Sequence, residues 1–296
     1  MRIGTLWVGI LLAACASTPF PQVRPGVDPR GVELFLLAYH GDSARYLVLE
    51  RTLGATPRFE VWVMDPIAET RTLSPLAASA LPDLWRQESL TPAAAIRAVR
   101  ESALGRDLES RGYVWPEVVP TPTLTTQAGT LRVENDTLQI RDAATEVSLA
   151  LLSPGDTRAD PVWLVAPDSR RIAVSLRYNT MPAALDLRLV DMPHARALIL
   201  STRASEAHAS GAFERAAALW YESLELAPQV PETLYNLACA HARLDHVDTA
   251  MRYLGQALVV GGTRFRAMAR VDADLEVVRG TPRFREVVGR MRPGRD

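Results

Sequence analysis

Lysine is absent from the 296 residues, so all 33 strongly basic side chains are arginine. That absence excludes three enzyme classes. P-loop nucleotidases need a Lys on the phosphates, protein kinases need their strand Lys, and pyridoxal enzymes need a Schiff-base Lys. Cysteine is nearly absent as well. Cys15 and Cys239 are too few for a disulfide framework. Neither Gly-x-Ser-x-Gly nor Gly-x-Gly-x-x-Gly occurs, so the nucleophile elbow and the dinucleotide loop are missing. Charge of one sign is lacking too: the formal net charge is −1. No global field draws the chain to nucleic acid, and no cofactor or metal is expected. What is present is an ordinary apolar fraction of 48%, enough for real cores, over a length that allows two domains.

Residues 1–15 read as an address. Arg2 precedes an apolar run, and Leu12-Ala13-Ala14-Cys15 follows it. The run is too short to span a bilayer and has the shape of a signal peptide. Leu12-Ala-Ala-Cys15 resembles the lipobox of bacterial lipoproteins. The resemblance implies that Cys15 becomes the lipid-modified first residue of the mature chain. Each buried CH₂ of such chains contributes about 0.8 kcal/mol, so several chains anchor stably. By resemblance to Gram-negative lipoproteins, Ala16 and Ser17, with no Asp after the Cys, imply the outer membrane and its periplasmic face; a Gram-positive surface lipoprotein is the alternative. Residues 16–31 hold Pro19, Pro21, Pro25, Pro29, Gly26 and Gly31. Such a stretch forms neither a helix nor a central strand, and is expected to be a tether.

Residues 32–193 read as a β-rich domain. Glu33–Tyr39, Tyr46–Glu50 and Phe59–Met64 are apolar, rich in strand formers and bounded by turn residues. One phrase occurs twice, as Asp42-Ser-Ala-Arg-Tyr-Leu-Val-Leu-Glu-Arg51 and Asp168-Ser-Arg-Arg-Ile-Ala-Val-Ser-Leu-Arg177. Each copy leads to another Asp 23 residues after its first, Asp65 and Asp191, which marks an internal repeat. These units are similar to the strand–turn–strand units of predicted secreted, propeller-type β proteins of unknown function. Two units are too few for a propeller, so a small sheet or a sandwich with inserts is expected. The aspartates are expected to serve turns by bonding local backbone. A helical insert is expected over about 91–112: Thr91-Pro92 caps it, Ile96, Val99, Ala103, Leu104 and Leu108 form one face, and Gly112 ends it. Thr130–Arg141 reads as a hairpin about Asn135-Asp136, and Glu146–Leu152 as a further strand. Pro193 is expected to close the β region.

From residue 194 onward the pattern is helical. Gly211 pairs with Asp245, Phe213 with Val247, Ala216 with Ala250 and Leu224 with Leu258, each 34 residues apart. The first copy carries a turn glycine, small residues at helix contacts and a closing Pro228. These residues resemble the tetratricopeptide repeat (TPR) family, in which that period is diagnostic. The resemblance implies two helical hairpins, with first helices at Ala197–Ser210 and from Pro231. The phrases Val271-Asp-Ala-Asp-Leu275 and Thr281-Pro-Arg-Phe284-Arg-Glu-Val-Val288 resemble the segment that closes bacterial TPR arrays. Leu275, Val278, Phe284, Val287 and Met291 are expected to cap the last apolar face. Two repeats are fewer than such arrays usually need, so the array is expected to dock on the β domain or on a partner.

The fold class read from the sequence is thus α+β: a β-rich domain with a helical insert, then an all-α, TPR-like solenoid of two hairpins plus capping helices. By that resemblance, the concave face of the second copy presents Glu232, Tyr235, Cys239, Ala242 and Arg243 to a peptide. The first copy presents Ser201, Ser205 and His208. Tyr and Arg are anchor types at interfaces. Cys239, among Ala and Leu, reads as a small buried hydrophobe. His241 and His246 stand five apart, which on one continuous helix makes them diverge. The functional expectation is a lipid-anchored envelope protein that binds a protein or peptide partner and reaches the membrane through lipid on Cys15. One alternative is a periplasmic enzyme or carbohydrate-binding protein, with a cleft lined by Asp42, Asp168, Arg45 or Arg171. The other is a structural accessory subunit of an envelope complex.

Overall fold

A computed structural model describes residues 31–53, 58–65, 70–73, 90–134, 137–143, 145–151, 161–178 and 184–289. Cys15, the Pro-rich segment to residue 30, Asn135-Asp136, Leu152 and Met291 lie outside the described residues. The chain divides into two compact units at Met192/Pro193, with Arg141–Val147 grouped with the second.

The first unit is built on a nine-stranded sheet. Strands β1 (Val32–His40), β2 (Tyr46–Thr52), β3 (Arg58–Asp65) and β4 (Thr70–Leu73) form an antiparallel meander. Strands β11 (Val162–Val165), β12 (Arg171–Tyr178) and β13 (Ala184–Asp191) form another. The two join where β1 lies parallel to β13. Short strand β6 (Glu117–Val119) extends the far side of β11, and β5 (Tyr113–Val114) pairs with the end of β1. The remaining strands, β7 (Thr123–Thr126), β8 (Gly129–Glu134), β9 (Thr137–Asp142) and β10 (Thr145–Leu151), make a separate four-stranded sheet.

The repeated phrase is a repeated structure. Tyr46 pairs with Met64 across β2–β3, and Ile172 pairs with Val190 across β12–β13, each residue 126 positions after its counterpart. The same hydrogen bond closes both preceding turns. The His40 N–H donates to the Arg45 carbonyl and the Ala166 N–H to the Arg171 carbonyl, both at 2.9 Å. The meanders therefore sit side by side in one sheet instead of forming separate blades, and at nine strands that sheet is larger than the small sheet expected. Central position explains the sequence of β1. Its first eight residues are all buried, including Glu33, because both faces are covered. A strand covered on both sides reads as a continuous run, not an alternation.

The helical insert lies against one face of this sheet. It is two helices where one was expected: α1 (Pro92–Arg100) and α2 (Ala103–Ser110). Thr91 Oγ1 accepts the Ala94 N–H, as the capping pattern demanded. Ser102 breaks the helix by starting another: its Oγ accepts the Gly105 N–H at 3.2 Å and donates to the Val99 carbonyl at 2.6 Å. Gly105 permits the close approach, since a Cβ there would lie 2.4 Å from the Arg100 carbonyl oxygen. Ala95, Val99, Leu104 and Leu108 pack on Phe35, Leu37, Leu47, Leu49 and Val61. Gly112 follows with φ +82°, the left-handed stop expected.

The second unit contains antiparallel helices α3 (Met192–Ala209), α4 (Phe213–Leu226), α5 (Pro231–Arg243) and α6 (Val247–Gly261). Helix α3 begins before Ala197 and takes in Pro193, which was expected to end the β region. Proline in a first turn loses no hydrogen bond, because the N–H it lacks has no acceptor there, and its φ is already helical. Helix α4 begins at Phe213 and α6 at Val247, so the 34-residue period is met at the backbone. The residues before them, Ala212 and His246, have φ/ψ of −85°/65° and −84°/66°. The turns match bond for bond. Ala212 N–H donates to the Ala207 carbonyl and His246 N–H to the His241 carbonyl, both at 2.9 Å. Such six-to-one bonds across a left-handed residue satisfy the last carbonyls of a helix. The left-handed residue is Gly211 (φ +83°) in one copy and Asp245 (φ +59°) in the other. Ala216 and Ala250 are fully buried at equivalent places. Helix α7 (Thr263–Val271), a 3₁₀ turn (Ala273–Leu275), α8 (Glu276–Arg279) and α9 (Pro282–Gly289) complete the unit. Leu275, Val278, Phe284 and Val288 are buried in its core, with Val287 packed against them, as the capping reading required. No helix among the described residues is long and apolar enough to cross a membrane.

Two glycines of this unit carry opposite consequences. Gly211→Ala meets no atom within 4 Å but keeps a left-handed backbone, so unfolding free energy is expected to fall by about 1–2 kcal/mol. Gly255→Ala, inside α6 with Val287 at an ordinary 3.9 Å, is expected to raise it by about 0.5–1 kcal/mol. Urea unfolding followed by circular dichroism reads both.

Candidate functional site

The residues expected on the concave face of the second hairpin do converge. Tyr235, Cys239 and Arg243 follow one another at four-residue steps along one side of α5, as helical geometry requires. What they meet is the chain's own Asp272–Leu275. Tyr235 Oη donates to Asp272 Oδ2 at 2.8 Å, and the Cys239 thiol points to the same oxygen at 3.8 Å. Arg243 Nη1 donates to Asp274 Oδ1 at 3.1 Å, with its guanidinium 4.7 Å above the Phe213 ring. His208 Nε2, from the first hairpin, lies 3.5 Å from Asp274 Oδ2. Asp272 Oδ1 accepts the Asp274 N–H at 3.0 Å, and Arg279 bonds the Asp272 carbonyl. The other expected face residues are also engaged within the unit. Glu232 pairs with Arg264, and Ala242 is fully buried. Ser201 accepts the Trp220 indole N–H at 3.3 Å, and the Ser205 hydroxyl donates to the Ser201 carbonyl at 3.0 Å.

This segment covers the face from within the chain. Detaching it exposes Leu275, Val278, Phe284 and Val288, all now buried. At about 1.5–3 kcal/mol for each large apolar side chain, that is about 6–12 kcal/mol. A peptide of micromolar affinity supplies about 8 kcal/mol in all. The sequence reading assigned Glu232, Tyr235, Cys239, Ala242 and Arg243 to an external peptide, whereas Tyr235, Cys239 and Arg243 meet Asp272 and Asp274 of the same chain. The geometry gives Tyr235, Cys239 and Ala242 to an internal one.

The electrostatics follow from burial. Burial raises the Cys239 thiol well above its ordinary value, and the carboxylates of Asp272 and Asp274 add to the effect. The thiol therefore stays protonated and is no nucleophile, as its apolar neighbours in the sequence implied. Burial likewise raises the Tyr235 phenol, with help from Cys239 and Asp272. Ligand-type atoms of Cys239, Asp272 and Asp274 all lie within 4.8 Å of one another. Arg243 already compensates Asp274, and Tyr235 already donates to Asp272. The donor set is engaged in closing the array.

At the described β turns, most of the residues named for a cleft face solvent. Asp42, Arg45, Asp168 and Ser169 are exposed. Asp168 Oδ1 accepts the Arg170 N–H at 2.9 Å, the local turn bond expected of it. Arg45 pairs with Asp65 at 3.3 Å. Arg171 donates to the His40 and Ser43 carbonyls at 2.9 and 2.7 Å and to Asp168 Oδ2 at 3.1 Å. It thus ties the turn of one meander to the turn of the other.

A second cluster escaped the sequence reading. His241 and His246 were expected to diverge, but α5 stops at Arg243 and the left-handed Asp245 folds the chain back. Their Nδ1 atoms stand 3.3 Å apart. His241 Nε2 is hydrogen-bonded to Tyr221 Oη at 2.6 Å, and its ring stacks on Tyr253. Asp245 lies one period after the turn glycine 211, and that spacing was the signal that His246 falls outside the helix.

Two imidazoles of the unit are held below their ordinary value. Burial is the main cause for His208, opposed by Asp274 and reinforced by Arg243. Burial is also first for His241, followed by His246 and Arg252. The unfolded chain therefore takes up these protons first as pH falls, at about 6.5. Stability of the helical unit is expected to be full above that pH and to decline below it. Urea midpoints measured from pH 8 to pH 5 check this, and a His208→Gln/His241→Gln variant is expected to flatten the decline.

Comparison with protein-family models, curated proteins and solved structures gives no match to this chain.

Proposed function

We propose that this is a lipid-anchored cell-envelope protein whose helical unit is a TPR-like scaffold for a protein or peptide partner. The observation that carries the reading is the 34-residue period. It is present in side chains and again in backbone, with the same turn bonds and the same starts of the second helix at both copies. Such arrays bury only against their neighbours and serve as binding surfaces. The Leu12-Ala-Ala-Cys15 motif supports lipid attachment, and the absence of Asp after Cys15 supports the outer membrane.

Closure of the second copy narrows the binding surface. Tyr235, Cys239 and Ala242 are buried, whereas the Arg243 side chain keeps 44% of its surface at the edge of that face. The partner is therefore taken at the rim, by Arg243 and the α3 side of the array. Asp42, Arg45 and Asp168, the residues named for the enzyme and carbohydrate readings, stand exposed at turns, so the scaffold reading is preferred.

Two measurements test the proposal in intact cells. Labelling with a fatty-acid analogue is expected to mark the wild type and to miss Cys15→Ser, which is released from membranes. Labelling that survives Cys15→Ser removes the anchor. Crosslinking is expected to give a discrete adduct that Arg243→Glu abolishes while the protein stays folded. An adduct that Arg243→Glu leaves unchanged removes the rim as the binding surface.

A further inference from the structure

We propose that His241 and His246 form a two-imidazole site for a borderline divalent metal ion of the Zn²⁺, Ni²⁺ or Cu²⁺ class. The donor spacing fits. Two nitrogens each about 2.0–2.1 Å from a tetrahedral metal stand about 3.3–3.4 Å apart, and the two Nδ1 atoms stand 3.3 Å apart. The chemistry around them fits too. A ligating imidazole commonly donates its second N–H to a fixed acceptor, which leaves the first nitrogen free to bind. His241 Nε2 has such a partner in Tyr221 Oη at 2.6 Å, and Tyr221 is itself bonded to Tyr253. In the tautomer with its proton on Nε2, His241 donates to the Tyr221 hydroxyl, and its Nδ1 lone pair then faces His246.

The position of the pair decides what it takes. His241 is buried to 8% exposure, while His246 is exposed. The remaining coordination places open to water, as in a site with few protein ligands. Without metal, the two Nδ1 atoms share one proton. Binding needs the exposed His246 to carry its proton on Nε2 instead, where water receives it, so no net proton is released at neutral pH. Arg252 acts on His241 and stands 4.8 Å over the Tyr253 ring. Two nitrogen donors disfavour Ca²⁺ and Mg²⁺, which want carboxylate oxygens, and favour metals that bond to imidazole. The site stands apart from the Cys239–Asp272–Asp274 closure.

The test is titration of the detergent-solubilised full chain with ZnCl₂, and with CoCl₂ as a spectroscopic stand-in, at pH 7.5 and at pH 5.5. One equivalent is expected to bind at the higher pH, and binding is expected to weaken at the lower one, where protons compete with the metal for the imidazole nitrogens. His246→Ala, at an exposed position, is expected to abolish binding. Tyr221→Phe is expected to weaken it about 10- to 100-fold. Asp274→Asn is expected to leave it unchanged. Three results overturn the proposal: no saturable binding at millimolar metal, binding that His246→Ala leaves intact, or a Co²⁺ thiolate band that disappears with Cys239→Ala.

Discussion

Two left-handed residues, Gly211 and Asp245, hold the helical unit in register. A helix end leaves carbonyls without partners, and a buried one cannot leave them so. Here each first helix ends in the same pair of bonds, from 211 and 212 in one copy and from 245 and 246 in the other. Because the return angle is fixed twice, Ala216 and Ala250 reach equivalent crossings where only a small side chain fits. The same reversal makes both side-chain clusters. It turns His246 back onto His241, and it sets α5 so that Tyr235, Cys239 and Arg243 share a side.

The β unit solves a similar problem by duplication. Two meanders of matching register share one sheet, and the seam is the parallel contact of β1 with β13. The copies have diverged at the turns. Arg45 stays within its own meander, on Asp65, whereas its counterpart Arg171 crosses to the His40 and Ser43 carbonyls. One guanidinium with several donors in a rigid fork suits that bridging role.

Much of this was legible in the sequence where the cause is local or periodic. The Thr91-Pro92 cap, the Gly112 stop, both Asp-Ser phrases and the 34-residue pairs each state their structure in nearby residues. Besides the return of His246 onto His241, three features did not show. Ser102 as a second cap was hidden because Ala103, Leu104 and Leu108 continue the apolar face of α1. Pro193 looked like a terminator, since proline both ends strands and opens helices. The closure by Asp272 and Asp274 could not be read as a contact. Its partners Tyr235 and Cys239 stand more than thirty residues away, and no period links them. The family resemblance located the face and the capping segment separately, but nothing in the residues said that one fills the other.

The central place of β1 governs the order in which the β unit can assemble. One edge of β1 pairs at once with β2, its neighbour in sequence. The other edge is met only at its end by short β5, and the rest of it waits for β13, about 150 residues further along. During that interval a strand of Val, Leu, Phe and Ala presents open backbone groups, the kind of edge that recruits foreign strands. A growing chain therefore depends on escort or on delayed collapse until β13 arrives. Truncation anywhere before β13 leaves an adhesive ribbon instead of a smaller domain.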